Sequence, residues 1–345
     1  MRTVFLTGIR KMGFSDTPEP MVMGEADVKI RMEIIGICGS DVHYYSVGKI
    51  GSQVVRFPFP VGHECSGIVT ETGPAVKNVK AGDLVVIDPS VHCGVCDQCL
   101  SDRPHTCRNN RFLGCPGQLD GCLSDFIVMP EFCCFPVTGR LTSVQAALIE
   151  PFSIGIYAVR LAAISKSQPS VAIFGAGPIG LSVLFKLLAD GITNIGMIEP
   201  LQYRLDKSVM IGARYGINPS LENVENVLIS HEPMLVDYVF EASGEQQAVD
   251  DAIRCLKPGG KLILIGIPPE GRYTFDMDLM RRKEIAAVNV RRQNHCVEEA
   301  IALAVSGKAD IEKMVTHYFT FEQTPYAFEI VEGYRDNVIK AMISL

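Results

Sequence analysis

The chain has 345 residues, 47% of them hydrophobic and 21% charged, with a net charge of -7. That is enough for two domains, each able to bury its own core. The acidic balance excludes nucleic acid or an anionic membrane as an electrostatic partner.

In chain order, the opening MRTVFLTGIRKMGF carries Arg2, Arg10 and Lys11 and no long apolar core, so it does not read as a secretory signal. Short β-rich runs then alternate with Gly, Pro and Asp turns: VKIRMEIIGI, SGIVTETG, GDLVVIDPS and DFIVMP. Among them lies CGVCDQCLSDRPHTC, which spaces Cys93, Cys96, Cys99 and Cys107 by two, two and seven residues. Such gaps let one loop wrap a tetrahedral zinc in four thiolates, a closed and structural site. The competing reading, a disulfide pair, needs an oxidising compartment, and with no leader the chain is expected in the cytoplasm with reduced thiols. Seven of the twelve cysteines (Cys65, Cys115, Cys122, Cys133, Cys134, Cys255, Cys296) read as small core hydrophobes. No apolar run is expected to span a bilayer, because IGIYAVRLAAI is interrupted by Arg160.

Near residue 150 the text changes to a βαβ rhythm, which implies a doubly wound parallel sheet. SVAIFGAG is a strand and PIGLSVLFKLLADG a largely buried helix ended by Gly191; NIGMIE and VDYVFEASG are strands. QQAVDDAIRCLKPGG reads as a helix with a Pro-Gly stop, and KLILIGIP as a further strand. Beyond about residue 290, HCVEEAIALAVSGKAD is an amphipathic helix and HYFTFEQTP holds a short strand.

The run Gly175-Ala176-Gly177-Pro178-Ile179-Gly180 follows a strand and opens a helix, the context in which a glycine loop brings a pyrophosphate to a helix N-terminus. Nineteen residues beyond Gly180 stands Glu199, whose carboxylate can take both ribose hydroxyls and repel a 2′-phosphate. That favours NAD over NADP. Arg204, five residues on, suits either a phosphate or the adenine face.

Cys38 in GICGSDVH, His63 and Glu64 in VGHECSG and Glu150 in LIEPFSIG together offer a thiolate, an imidazole and carboxylates. Such a set makes an open, catalytic zinc. Singly, each has a plainer account: a buried thiol, a core histidine, an acid at a helix N-terminus. Spacing alone does not force them together.

The ordered set of ICGSD, GHE, the four-cysteine lobe, IEP and GAGPIG resembles the zinc-dependent medium-chain alcohol and polyol dehydrogenases along the whole chain. CGSDVHYYSVGKIG with RFPFPVGHECSG resembles the sorbitol and xylitol branch. The resemblance implies an α/β architecture: a GroES-like catalytic domain in two parts, 1–152 and 290–345, around a Rossmann domain at 153–289. The structural zinc lobe falls at about 90–110. It implies two zinc ions per chain, with Cys38, His63 and Glu64 as catalytic ligands. Glu150 then binds zinc directly or through its water.

The chemistry implied is oxidation of a secondary hydroxyl of a polyol to a ketone, with hydride passing to NAD. Ser40 would pass the proton outward to His43, and Asp41 would orient His63. Tyr44, Phe112, Arg291 and Glu150 are the implied substrate contacts. Arg292 stands where sorbitol enzymes carry a tyrosine, and the four-cysteine site is one that animal sorbitol dehydrogenases lack. Alternatives are a sugar acid, a diol or a threonine-like substrate, the last opposed by the YY and GKIG elements. A non-catalytic binding paralogue is a further alternative. The family leads to an expected homotetramer or homodimer.

Overall fold

The alternating runs of the first 140 residues pair into one sheet in the computed structural model, which describes residues 1–269 and 271–345. Asp27–Gly36 lies at its heart and buries alternate residues, Val28, Ile30 and Met32, as period-two patterning requires. It pairs antiparallel with Glu64–Thr72, Phe126–Pro130 and Lys340–Ser344. Leu84–Ile87 and Cys134–Pro136 extend one side, and Val315–Thr320 closes the other in a parallel pair with Lys340–Ser344. Two registers matter for the site: Gly36 faces Glu64 on one flank and Met342 on the other. This sheet belongs to a unit of Met1–Glu150, Val297–Val305 and Met314–Leu345.

The other unit comprises Pro151–Cys296 and Ser306–Lys313. Its six strands are all parallel, in the spatial order Tyr215–Ile217, Ile195–Ile198, Val171–Phe174, Val236–Glu241, Leu256–Leu264, Ala286–Asn289. In chain order that is 3-2-1-4-5-6, the dinucleotide-binding arrangement with its switch point between Val171–Phe174 and Val236–Glu241. Val171–Phe174, Ile195–Ile198 and Val236–Glu241 are buried at every position, as strands covered on both faces must be. The two acids of Val236–Glu241 are compensated. Asp237 takes Lys166, Lys257 and Ser170, while Glu241 takes the Ser243 and Gly244 amides and the Tyr273 hydroxyl.

The structure corrects two expectations. The helix Gln246–Cys255 stops before Pro258, and Leu256 already begins the strand Leu256–Leu264. Lys257, preceding proline, is pushed out of helical geometry, and a shift in the ladder between Val236 and Tyr238 absorbs the Pro-Gly-Gly turn. Second, Ser143–Ala162 is one 20-residue helix that Arg160 does not interrupt, long and apolar enough to cross a bilayer. Its apolar window is 72% buried within the protein, as a core helix would be.

Candidate functional site

The strand Asp27–Gly36 delivers the chain to Cys38, which sits at the N-cap of the helix Gly39–Ser46. Beside it, Glu64 opens the neighbouring strand and His63 immediately precedes it. One ligand atom from each of Cys38, His63 and Glu64 lies within 4.8 Å of the others. Asp41, wholly buried, fixes this corner. Its carboxylate accepts from the amides of Cys38 (3.2 Å) and Gly62 (3.1 Å) and stands 3.4 Å from His63 Nδ1. Ser40 donates to Cys38 Sγ at 3.3 Å.

The donor set calls for a cation. Burial opposes ionisation of the Cys38 thiol, yet His63, by charge and hydrogen bond, brings it down to about 7. Burial likewise opposes a charged His63, but Asp41 and Cys38 hold its pKa well above the usual value. A thiolate, a carboxylate-backed imidazole and a carboxylate converge on one point, which fits a borderline-soft dication with a position left open.

Of the remaining expected residues, Glu150 is buried at 6% exposure and, among the described residues, stands outside the mutually close ligand set. The Phe112 ring lies 5.3 Å from that of His63. Tyr44 is buried, its hydroxyl 3.0 Å from Gln53 Oε1. His43 is half-buried, and burial lowers its pKa. Arg291 is exposed and belongs to the other unit.

One charged neighbour has no counterpart in the sequence reading. Lys340, buried in the strand Lys340–Ser344, donates to Glu64 Oε2, and burial brings its pKa down to about 8. The only sequence signal is a lysine inside the otherwise apolar VIKAMI.

The four lobe cysteines form the second cluster. Their sulfur separations are 3.4 Å for Cys93–Cys107, 3.6 Å for Cys96–Cys99 and 3.8 Å for Cys96–Cys107. A tetrahedron with zinc–sulfur bonds of about 2.3 Å has edges near about 3.8 Å, whereas a disulfide brings the sulfurs to about 2 Å. Backbone amides of Cys93 and Asn109 donate to Cys107 Sγ. Backbone amides also lower Cys96 to about 6, while desolvation and the adjoining thiols push Cys99 up to about 12.

At the glycine loop, Gly175 has φ +96, and a Cβ on Gly180 would fall 1.8 Å from the Gly175 carbonyl oxygen, so the helix Pro178–Ala189 can start this close only with glycine there. Glu199 turns back onto the loop, accepting from the amides of Ala176 (2.7 Å) and Leu201 (3.0 Å). Arg204 is buried, with its guanidinium 3.7 Å from where a Gly177 Cβ would lie. Gly177 is the N-cap of this helix, Pro178 its first residue, and Ile179 is half-buried.

A β-rich unit with an open thiolate–imidazole–carboxylate set and a parallel-sheet unit with a dinucleotide loop define a metal-dependent nicotinamide oxidoreductase. Comparison with known proteins narrows the class. The alcohol dehydrogenase GroES-like domain family matches residues 24–139, and the glucose dehydrogenase C-terminus family matches residues 143–345. Sorbitol dehydrogenase of Bacillus subtilis (strain 168) is 32% identical over 349 residues, covering 99% of this chain and 97% of its own. L-idonate 5-dehydrogenase of Vitis vinifera is 31% identical over 94% of this chain and 89% of its own. An Escherichia coli crystal structure, described as an oxidoreductase/dehydrogenase of unknown specificity involved in membrane biogenesis, superposes with a TM-score of 0.93. It is 30% identical and covers 99% of this chain and 98% of that one. The chain belongs to the zinc-dependent medium-chain alcohol dehydrogenase family, on its polyol dehydrogenase side.

Proposed function

We infer that the protein oxidises a secondary hydroxyl of a polyol or sugar alcohol to a ketone and reduces NAD. The observation that carries this reading is the close Cys38–His63–Glu64 set, with His63 and Glu64 buried, Cys38 half-buried and Asp41 bracing it. A zinc ion held there supplies Lewis-acid polarisation of the substrate hydroxyl. Asp41 faces His63 Nδ1, which leaves Nε2 as the ligand atom and raises its donor strength. Ser40, two residues from Cys38, takes the substrate proton outward, and His43, whose pKa burial lowers, is the group that can accept it. Glu150, Tyr44 and Phe112 shape the substrate side, and Arg291 is a further substrate contact. Glu150 orients the reacting hydroxyl. The lobe cysteines hold a second, structural zinc.

Glu199 selects NAD. A carboxylate has about four lone-pair positions, so the two amides it accepts leave room for ribose hydroxyls, while its charge opposes a 2′-phosphate. The family also points to a homo-oligomer. The edge strand Ala286–Asn289, largely exposed and free of charge or proline, suits pairing with a second copy, and the molar mass by light scattering tests this.

Zinc-loaded enzyme given NAD and a panel of polyols and aldonic acids should release NADH with polyols. Activity should vanish on chelation and return with zinc. NADH formed from simple primary alcohols but from no polyol would overturn the reading. The aldonic acids belong in the panel because Arg291 and Arg292 offer two guanidinium groups that suit a carboxylate, and the Vitis relative is named for a sugar acid.

A further inference from the structure

Lys340 is a fully buried lysine in a strand that an apolar residue would pack equally well, and its ammonium has two defined partners. It donates to the Ile37 carbonyl at 3.0 Å and to Glu64 Oε2. The backbone is built around this pair. Gly36 lies opposite Glu64 in one ladder and opposite Met342 in the next. A Cβ on Gly36 would stand 2.6 Å from Glu64 Oε2 and 3.0 Å from Lys340 Cε, so the missing side chain is the space the pair occupies.

Two of the three ligands are thus braced by groups of opposite sign. His63 leans on the Asp41 carboxylate, which makes imidazole a stronger donor to a cation. Glu64 leans on an ammonium, which draws electron density from the carboxylate and repels a nearby dication. We propose that Lys340 is a positioning residue that competes with the catalytic metal for Glu64, making Glu64 the weak, exchangeable bond among the three. The inference rests on Cys38, His63 and Glu64 being the metal set. Its consequence is that the coordination shell opens at Glu64, while Cys38 and His63 stay fixed.

The test loads the catalytic site with Co²⁺ and follows its d–d absorption and its dissociation into excess chelator. In Lys340→Met the metal should leave about 10-fold more slowly than in the parent, with shifted d–d bands, and Lys340→Arg should restore parental behaviour. Gly36→Ala, which wedges the pair apart, should move both readouts the same way but less, and it keeps the test within reach if Lys340→Met does not fold. When Glu64→Gln is already present, adding Lys340→Met should change dissociation by less than about twofold, since the carboxylate it restrains is gone. Equal or faster metal loss in Lys340→Met or Gly36→Ala overturns the proposal, as does an undiminished effect of Lys340→Met in the Glu64→Gln background. A parent chain that binds no cobalt at Cys38 overturns the metal site itself, a separate and recognisable failure.

Discussion

The two metal-ligand clusters are built in opposite ways. The lobe takes four like ligands from 15 consecutive residues, and its sulfurs are steadied by backbone amides of the same loop. The open cluster takes three unlike ligands at the mouths of two strands, two buried and Cys38 half-buried, with a carboxylate behind one and an ammonium behind another. Four equivalent thiolates leave a metal nothing to do but hold the loop. Three unequal ligands with charged neighbours leave a position open and set the strength of each bond separately. The proposed division, structure in one case and chemistry in the other, rests on that asymmetry.

The largest test of this contrast lies in the carboxylates. Glu150→Gln should keep its catalytic zinc and lose about 100-fold or more in kcat, while Glu64→Gln should weaken zinc binding by about 10-fold. Zinc content and kcat measured on both variants decide it, and the reverse pattern would make Glu150 the ligand. Next, Asp41→Asn, which weakens the brace on His63, should lower zinc affinity or activity by about 10- to 100-fold. An effect on thermal stability alone would reduce Asp41 to a loop anchor. Glu199→Ser is the control that touches neither cluster. Both zinc ions should remain, the KM for NAD should rise, and the preference over NADP should fall by about 10-fold, roughly one lost charge-assisted contact. Smallest in its effect on chemistry is Cys99→Ser. The midpoint of thermal unfolding should drop by several degrees, about 2–4 °C per kcal/mol for a chain of this size, with kcat changed by less than about twofold. Elemental analysis of carefully prepared parent protein should find two zinc ions per chain, and finding one would break the comparison outright.

Legibility in the sequence tracked how local each feature is. The lobe and the glycine loop could be read directly, because all their parts lie within one turn or one strand–helix junction. Cys38, His63 and Glu64 could be joined only through the family resemblance, since what unites them is the register placing Gly36 opposite Glu64. Lys340 was illegible: it is 276 positions from the carboxylate it meets, and a single lysine in an apolar strand usually marks an end or an edge. The helix Ser143–Ala162 was underestimated for the converse reason. Arg160, close to its C-terminal end, reads as a break in the text, while in three dimensions it is merely the helix's exposed residue.

The strand Lys340–Ser344 also governs when the enzyme can come into being. Its partner Asp27–Gly36 is synthesised about 300 residues earlier and must wait, one flank unpaired, through the making of the whole parallel-sheet unit. That unit contains all its own strands and can fold while translation continues. The catalytic sheet cannot be completed until residue 344 has been added. Completion of that sheet therefore comes after the parallel-sheet unit has been made, and a chain interrupted between residues 313 and 340 would carry that unit together with an unfinished sheet.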